Sequence, residues 1–168
     1  KRLVVLNPAG NFITKSWPIE SYRRFAEGWI NTVESDVQFL MLGVERVREK
    51  TKYLEEKLGN KVVNLVGKTT LSEGFNILRQ AELVISEDSG LMHMAWVAQV
   101  PVVALFGSSR SSWSTPLGNS VCLDSSDLEC GECLQPTCRF GDVHCMTRYS
   151  PELVIESAKK LLANVSSE

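Results

Sequence analysis

The chain reads as an α/β domain, a Rossmann-like parallel sheet with helices on both faces. Three observations predict this class. Short apolar runs alternate with segments of helical period along the chain, the pattern that strand-helix repeats leave in a sequence. The runs Val4-Val5-Leu6, Leu83–Ile85 and Val102–Phe106 are apolar throughout, as strands covered on both faces are. Between Leu83 and Gly107 the order strand, tight loop, helix, strand makes a βαβ unit. Its right-handed crossover leaves the loop at the carboxyl ends of parallel strands, where such sheets bind ligands. With 168 residues the chain can bury one core, so a single domain over 1–168 is expected.

Arg2 to Leu6 reads as the first strand and Asn7-Pro8-Ala9-Gly10-Asn11 as the loop that leaves it. Pro18 pre-sets a first helical turn, and Ile19, Tyr22, Phe25, Ala26, Trp29, Ile30 and Val33 follow as one apolar stripe. Val37 to Leu42 is the second strand, closed by Gly43. The charged run from Glu45 to Lys57 is an amphipathic helix that turns Val47, Tyr53, Leu54 and Leu58 inward and stops at Gly59. Val62 to Val66 is the third strand. Thr70-Leu71-Ser72-Glu73 has the form of a capping box, opening a helix through Leu78 and Arg79. After Gly107 a short strand is expected at Val121 to Leu123, then an irregular cysteine-rich loop at about 124–148. Ser150-Pro151 caps a last helix with Leu153, Val154, Ala158, Leu161 and Leu162 inward.

A net charge of −2, 43% hydrophobic and 23% charged residues describe a globular domain without a basic stripe, so no nucleic-acid partner is expected. No apolar run approaches the roughly 20 residues that span a bilayer, and no secretory signal is expected. The chain enters a strand directly from Lys1, and it is expected to be a piece of a longer protein.

The loop Ser86-Glu87-Asp88-Ser89-Gly90 carries the candidate chemistry. Helix N–H groups beside Gly90 have no intrahelical partner and suit an anion, and a glycine lets a phosphate come close to the backbone. Ser89 can donate a further hydrogen bond, and His93 lies one turn in on roughly the same face. Asp88 would repel a phosphate, but its acceptor oxygens suit sugar hydroxyls. The same residues also make an ordinary turn and N-cap, and a histidine among Met92, Met94, Ala95 and Trp96 is equally a core residue. Lys15 belongs to the same sheet edge and can reach a phosphate there, or stand solvated. Glu45 can accept from ribose hydroxyls, or simply favour a helix start.

Cys130, Cys133, Cys138 and Cys145, with His144 adjacent and Cys122 earlier, fall in the irregular loop. Four thiolates can hold a tetrahedral zinc, but only one Cys-x-x-Cys pair is present, and packed reduced thiols or disulfides fit as well. No metal is assigned, and no cysteine has a base partner in sequence that would make it a nucleophile.

Asn7-Pro8-Ala9-Gly10, Lys15-Ser16-Trp17-Pro18, Asn64-Leu65-Val66-Gly67-Lys68-Thr69, Asp88-Ser89-Gly90-Leu91-Met92-His93 and Pro101–Gly107 occur in this order. Their order and spacing resemble the C-terminal half of the ADP-heptose:lipopolysaccharide heptosyltransferases of glycosyltransferase family nine, over nearly the whole chain. The resemblance implies one half of a GT-B fold, the C-terminal domain that binds the nucleotide-sugar donor. By that resemblance Lys15 would contact the donor phosphate or heptose and Glu45 the ribose. The backbone around Leu65, Gly67 and Lys68 would line the adenine pocket. Ser89, Gly90 and His93 would hold the pyrophosphate, and Asp88 the heptose hydroxyls.

The implied reaction is inverting transfer of heptose from ADP-heptose to the lipopolysaccharide inner core, with Lys15, Asp88 and His93 as the catalytic set and no cofactor beyond the donor. The family's N-terminal acceptor domain, which supplies the base, is absent from this chain, so the domain alone is expected to bind donor without turnover. The full enzyme would be cytoplasmic, peripheral at the inner face of the cytoplasmic membrane. Two alternatives are a non-catalytic nucleotide-sugar binding module and a family member using another nucleotide sugar. A third is an interaction domain clipped by metal at its cysteines.

Overall fold

The computed structural model describes residues 1–165. Six strands form one parallel sheet: β1 (Arg2–Asn7), β2 (Val37–Met41), β3 (Val62–Asn64), β4 (Leu83–Glu87), β5 (Val102–Leu105) and β6 (Ser120–Leu123). Their order in the sheet is β3-β2-β1-β4-β5-β6, and every neighbouring pair is parallel. The chain winds outward from β1 in one direction, returns, and winds outward from β4 in the other. The reversal lies between β1 and β4.

Helices cover both faces because consecutive strand residues point to opposite sides. Val4 and Leu6 pack with Phe39, Met41, Ile85 and Leu105 beneath α1 (Ile19–Thr32), α2 (Arg48–Leu58) and α7 (Pro151–Val165). Val5, Leu40, Val84, Val102 and Ala104 face the other way, toward α3 (Leu71–Leu78) and α4 (Gly90–Val97). The stripe of α1 buries Tyr22, Phe25, Ala26 and Trp29 as expected, but the helix ends at Thr32 and leaves Val33 exposed. Pro18 is its N-cap, one residue before the first turn.

Three boundaries differ from the sequence expectation. Glu45–Val47 is a 3-10 turn, and α2 begins only at Arg48. β2 stops at Met41 and β3 at Asn64, because β3 is an edge strand paired with β2 over Val62–Asn64 alone. Two short helical turns flank β6 in sequence, α5 (Ser111–Ser114) before it and α6 (His144–Thr147) after it, and the segment between β6 and α6 is irregular.

Candidate functional site

The strand reversal leaves a crevice at the carboxyl ends of β1 and β4, and α4 starts inside it. Ser89 is the N-cap in extended conformation (φ −163°, ψ 163°), and its hydroxyl accepts the Met92 N–H at 3.4 Å. That hydroxyl also accepts from Asn7 Nδ2 at 2.7 Å, while the same amide group donates to Ser86 Oγ at 2.8 Å. Ser89 therefore caps the helix and ties it to β1, where the sequence suggested a free donor. Gly90 is exposed, with no atom within 4 Å of the place a Cβ would take. Room is therefore left beside the start of α4, where the first amides of a helix lack intrahelical partners and suit an anion, although Ser89 takes the Met92 N–H. Asn7 is fully buried, and its Oδ1 is the one buried side-chain polar atom among the described residues that lacks a partner.

Beside Gly90 opens a cleft of about 420 Å³. Leu42, Gly43 and Val44 after β2 form one wall, Thr69, Thr70, Leu71 and Gly74 another, and Ser89, Gly90, Leu91 and Met94 of α4 a third, with Ala9 and Arg46 at the β1 side. Leu65, Gly67 and Lys68, whose backbone the family resemblance put at an adenine pocket, do not line this cleft. Leu65 packs against the core on the α3 and α4 face. Gly67 makes a left-handed turn (φ 68°) against the Glu45 carboxylate, and a Cβ there would overlap it. Lys68 curls back to donate to the Asn64 carbonyl at 2.9 Å. Glu45 is exposed and bound by Arg48 through Nε at 2.5 Å and Nη2 at 2.8 Å, which holds its carboxyl below the usual range.

On the other side of α4, toward β5, lies a polar cluster. Lys15 Nζ meets Asp88 Oδ2 at 3.1 Å, with both side chains largely buried. Ser109 Oγ donates to the same oxygen at 2.6 Å, and Ser114 Oγ to Oδ1 at 3.4 Å. Lys15 and Asp88 come together across 73 residues of sequence, as the shared sheet edge required. His93 is half-buried one turn into α4 and does not line the cleft.

Glu87 was not singled out by sequence, yet it organises this edge. Its carboxylate is fully buried and accepts the Gly10 N–H at 2.5 Å and the Trp17 N–H at 2.7 Å, so one side chain fastens both ends of the loop that carries Lys15. Burial pushes its pKa up to about 7, against Lys50 Nζ at 3.7 Å and the two amides, which favour the charged form. The sequence signal was an acidic residue closing an apolar strand, which must find donors wherever it is buried.

A cavity of about 560 Å³ is lined by Cys130, Cys133, Cys138 and Cys145 together with Thr14 and His144. The five cysteines are free, and among the described residues no three His, Cys, Asp or Glu side chains are placed to hold a metal. Burial and the neighbouring thiols push the Cys145 pKa up to about 11, so it stays protonated at neutral pH.

The sequence profile of glycosyltransferase family 9 (heptosyltransferase) matches residues 1–144, which include the cleft, the Lys15–Asp88 cluster and the cysteine loop as far as His144, one residue short of Cys145. The chain belongs to glycosyltransferase family 9. Among family 9 relatives, lipooligosaccharide heptosyltransferase 2 of Campylobacter jejuni is 33% identical over 171 residues, covering 98% of this chain and 52% of its own length. The solved structure of E. coli ADP-heptose LPS heptosyltransferase II superposes with a TM-score of 0.81 at 21% identity, over 99% of this chain and 48% of that one. E. coli heptosyltransferase WaaC with ADP-2-deoxy-2-fluoro heptose gives 0.67 at 20% identity, over 95% and 43%. The chain spans about half the length of these family 9 proteins. Among its described residues no helix is long and apolar enough to cross a membrane.

Proposed function

We propose that this family 9 domain is the donor-binding half of a heptosyltransferase, taking ADP-heptose for inverting transfer to the lipopolysaccharide core at the cytoplasmic side of the membrane. The observation that carries this is the exposed start of α4 at Gly90, flanked by an apolar cleft on one side and a carboxylate with hydroxyls on the other. A nucleotide sugar has the same three parts. The adenosine would lie between Leu42, Val44, Leu71 and Met94, the diphosphate over Gly90, and the sugar hydroxyls against Asp88, Ser109 and Ser114.

Transfer would break the bond between the anomeric carbon and the diphosphate oxygen while the acceptor hydroxyl forms the new bond from the opposite face. The acceptor proton passes to a base supplied by the other half of the enzyme. Charge that builds on the departing diphosphate would be met by the α4 amides, held in place by the helix, and by Lys15 and His93, which would turn toward it, Lys15 from Asp88 and His93 from its half-buried place beside the cleft. Asp88, neutralised by Lys15 in the free domain, would hold the sugar rather than the phosphate. No further cofactor enters this scheme.

Calorimetric titration of the domain with ADP and UDP tests the reading. ADP is expected to bind at least about tenfold more tightly, a difference of about 1.4 kcal/mol. Equal affinity for the two nucleotides would overturn the donor assignment, and ADP-heptose bound without transfer by the longer two-domain protein would leave a binding module.

A further inference from the structure

We infer that Arg46 is a donor-binding residue that holds the diphosphate from the side opposite α4; this rests on the donor reading of the cleft. The charges at this edge single it out. Lys15 is paired with Asp88, Lys50 lies at ion-pair distance from Glu87, Arg48 is bound to Glu45, and Lys68 is turned onto the Asn64 carbonyl. Arg46 alone among the described cations lines the cleft, and no described carboxylate lies at ion-pair distance from it. Its single hydrogen bond runs from Nη2 to the Ala9 carbonyl at 3.3 Å.

That bond also fixes where the guanidinium stands. Arg46 leaves the sheet after β2, yet it reaches Ala9, which follows β1, and β1 is the strand between β2 and β4. Ala9, Arg46, Ser89 and Gly90 line the same cleft, so the fork stands on its β1 side while α4 starts beyond β4. A diphosphate over Gly90 would sit between the two. A guanidinium has five N–H donors in a planar fork that matches phosphoryl oxygens in pairs, and one N–H on Ala9 leaves the others for such a ligand. An exposed arginine tied to a backbone carbonyl of the cleft wall is pre-positioned, with no carboxylate to displace first. The sequence hid it, because Arg46 lies in a run of charge from Glu45 to Lys57 that reads as a solvated helix face.

Titration of the wild-type domain and of Arg46→Ala and Arg46→Lys with ADP and with adenosine tests the assignment. Arg46→Ala should bind ADP about 10- to 100-fold more weakly, the worth of a charged hydrogen-bonded contact, with adenosine affinity unchanged. Arg46→Lys should recover part of the loss, since a point charge replaces the fork. Wild-type affinity for ADP in Arg46→Ala would overturn the inference while leaving the donor reading intact, and so would an equal loss for adenosine and ADP. A wild-type domain that binds no ADP would instead remove the donor reading, and the role of Arg46 with it.

Discussion

Glu87 shows how a single buried group sets the behaviour of the site. In an unfolded chain its carboxyl titrates near 4.5, and in the folded domain burial lifts it to about 7. Between those values the native state binds more protons than the unfolded one, so stability falls as pH rises. The contribution is fully present below about 4.5 and is lost as pH passes through about 7, a change of about 3 kcal/mol. Urea unfolding at about pH 5 and about pH 8 should show it. Glu87→Gln should remove that part of the pH dependence, and it should also be less stable at low pH, because its NH2 meets one of the two amides that the carboxyl accepts. An unchanged difference between the two pH values in Glu87→Gln would show that the titrating group lies elsewhere. Its one local mark in the sequence, an acidic residue closing an apolar strand, does not say which donors it finds. Its partners Gly10 and Trp17 are 77 and 70 positions away, and only the parallel pairing of β1 with β4 brings them together.

Elements were legible where their signals are local. The capping box at Thr70 forms with both of its reciprocal bonds, since Thr70 and Glu73 need only each other. The period-two division of β1, with Val5 on one face and Val4 and Leu6 on the other, follows from strand geometry alone. Where α2 starts was less legible, because Glu45 to Lys57 carries helical residues throughout while Glu45–Val47 tightens to a 3-10 turn after Gly43. At α4 the local signal was sufficient for the cap but silent on its second partner. Ser89 serves the helix and Asn7 at once, so Ser89→Ala should cost about 1–2 kcal/mol. The loss should appear as a lower urea midpoint at unchanged slope, with Ser89→Thr restoring most of it. A variant with a wild-type midpoint would mean that α4 does not depend on this cap.

At the scale of the whole molecule, the cysteine loop acts as a strap beside the Lys15–Asp88 cluster. Lacking any period, it could be read from sequence only as irregular, and a metal clip was one way to hold it. In the structure, hydrogen bonds tie it to the sheet edge. Ser125 Oγ donates to the Gly107 carbonyl at 2.6 Å, the Leu134 N–H to Ser108 at 2.8 Å, and Thr14 Oγ1 to the Gln135 carbonyl at 2.6 Å. Thr14 precedes Lys15, and Glu132 accepts the Ser111 N–H at 2.9 Å at the start of α5, whose Ser114 reaches Asp88. The strap therefore supports both members of the Lys15–Asp88 pair. Gly131 is its tightest point, for a Cβ there would come within 1.7 Å of the Ser125 carbonyl oxygen and 3.0 Å of that of Leu128. Neither is a flexible side-chain end, so Gly131→Ala must move backbone, at a cost of about 1–3 kcal/mol. Amide exchange should quicken first at Ser111 and Leu134, whose N–H groups are held by the strap. Because the disturbance reaches Asp88 and its serines but not the apolar cleft, affinity for ADP-heptose should fall while that for ADP is kept. Equal loss of both ligands, or unaltered exchange at Ser111 and Leu134, would show that the loop and the donor site are mechanically independent.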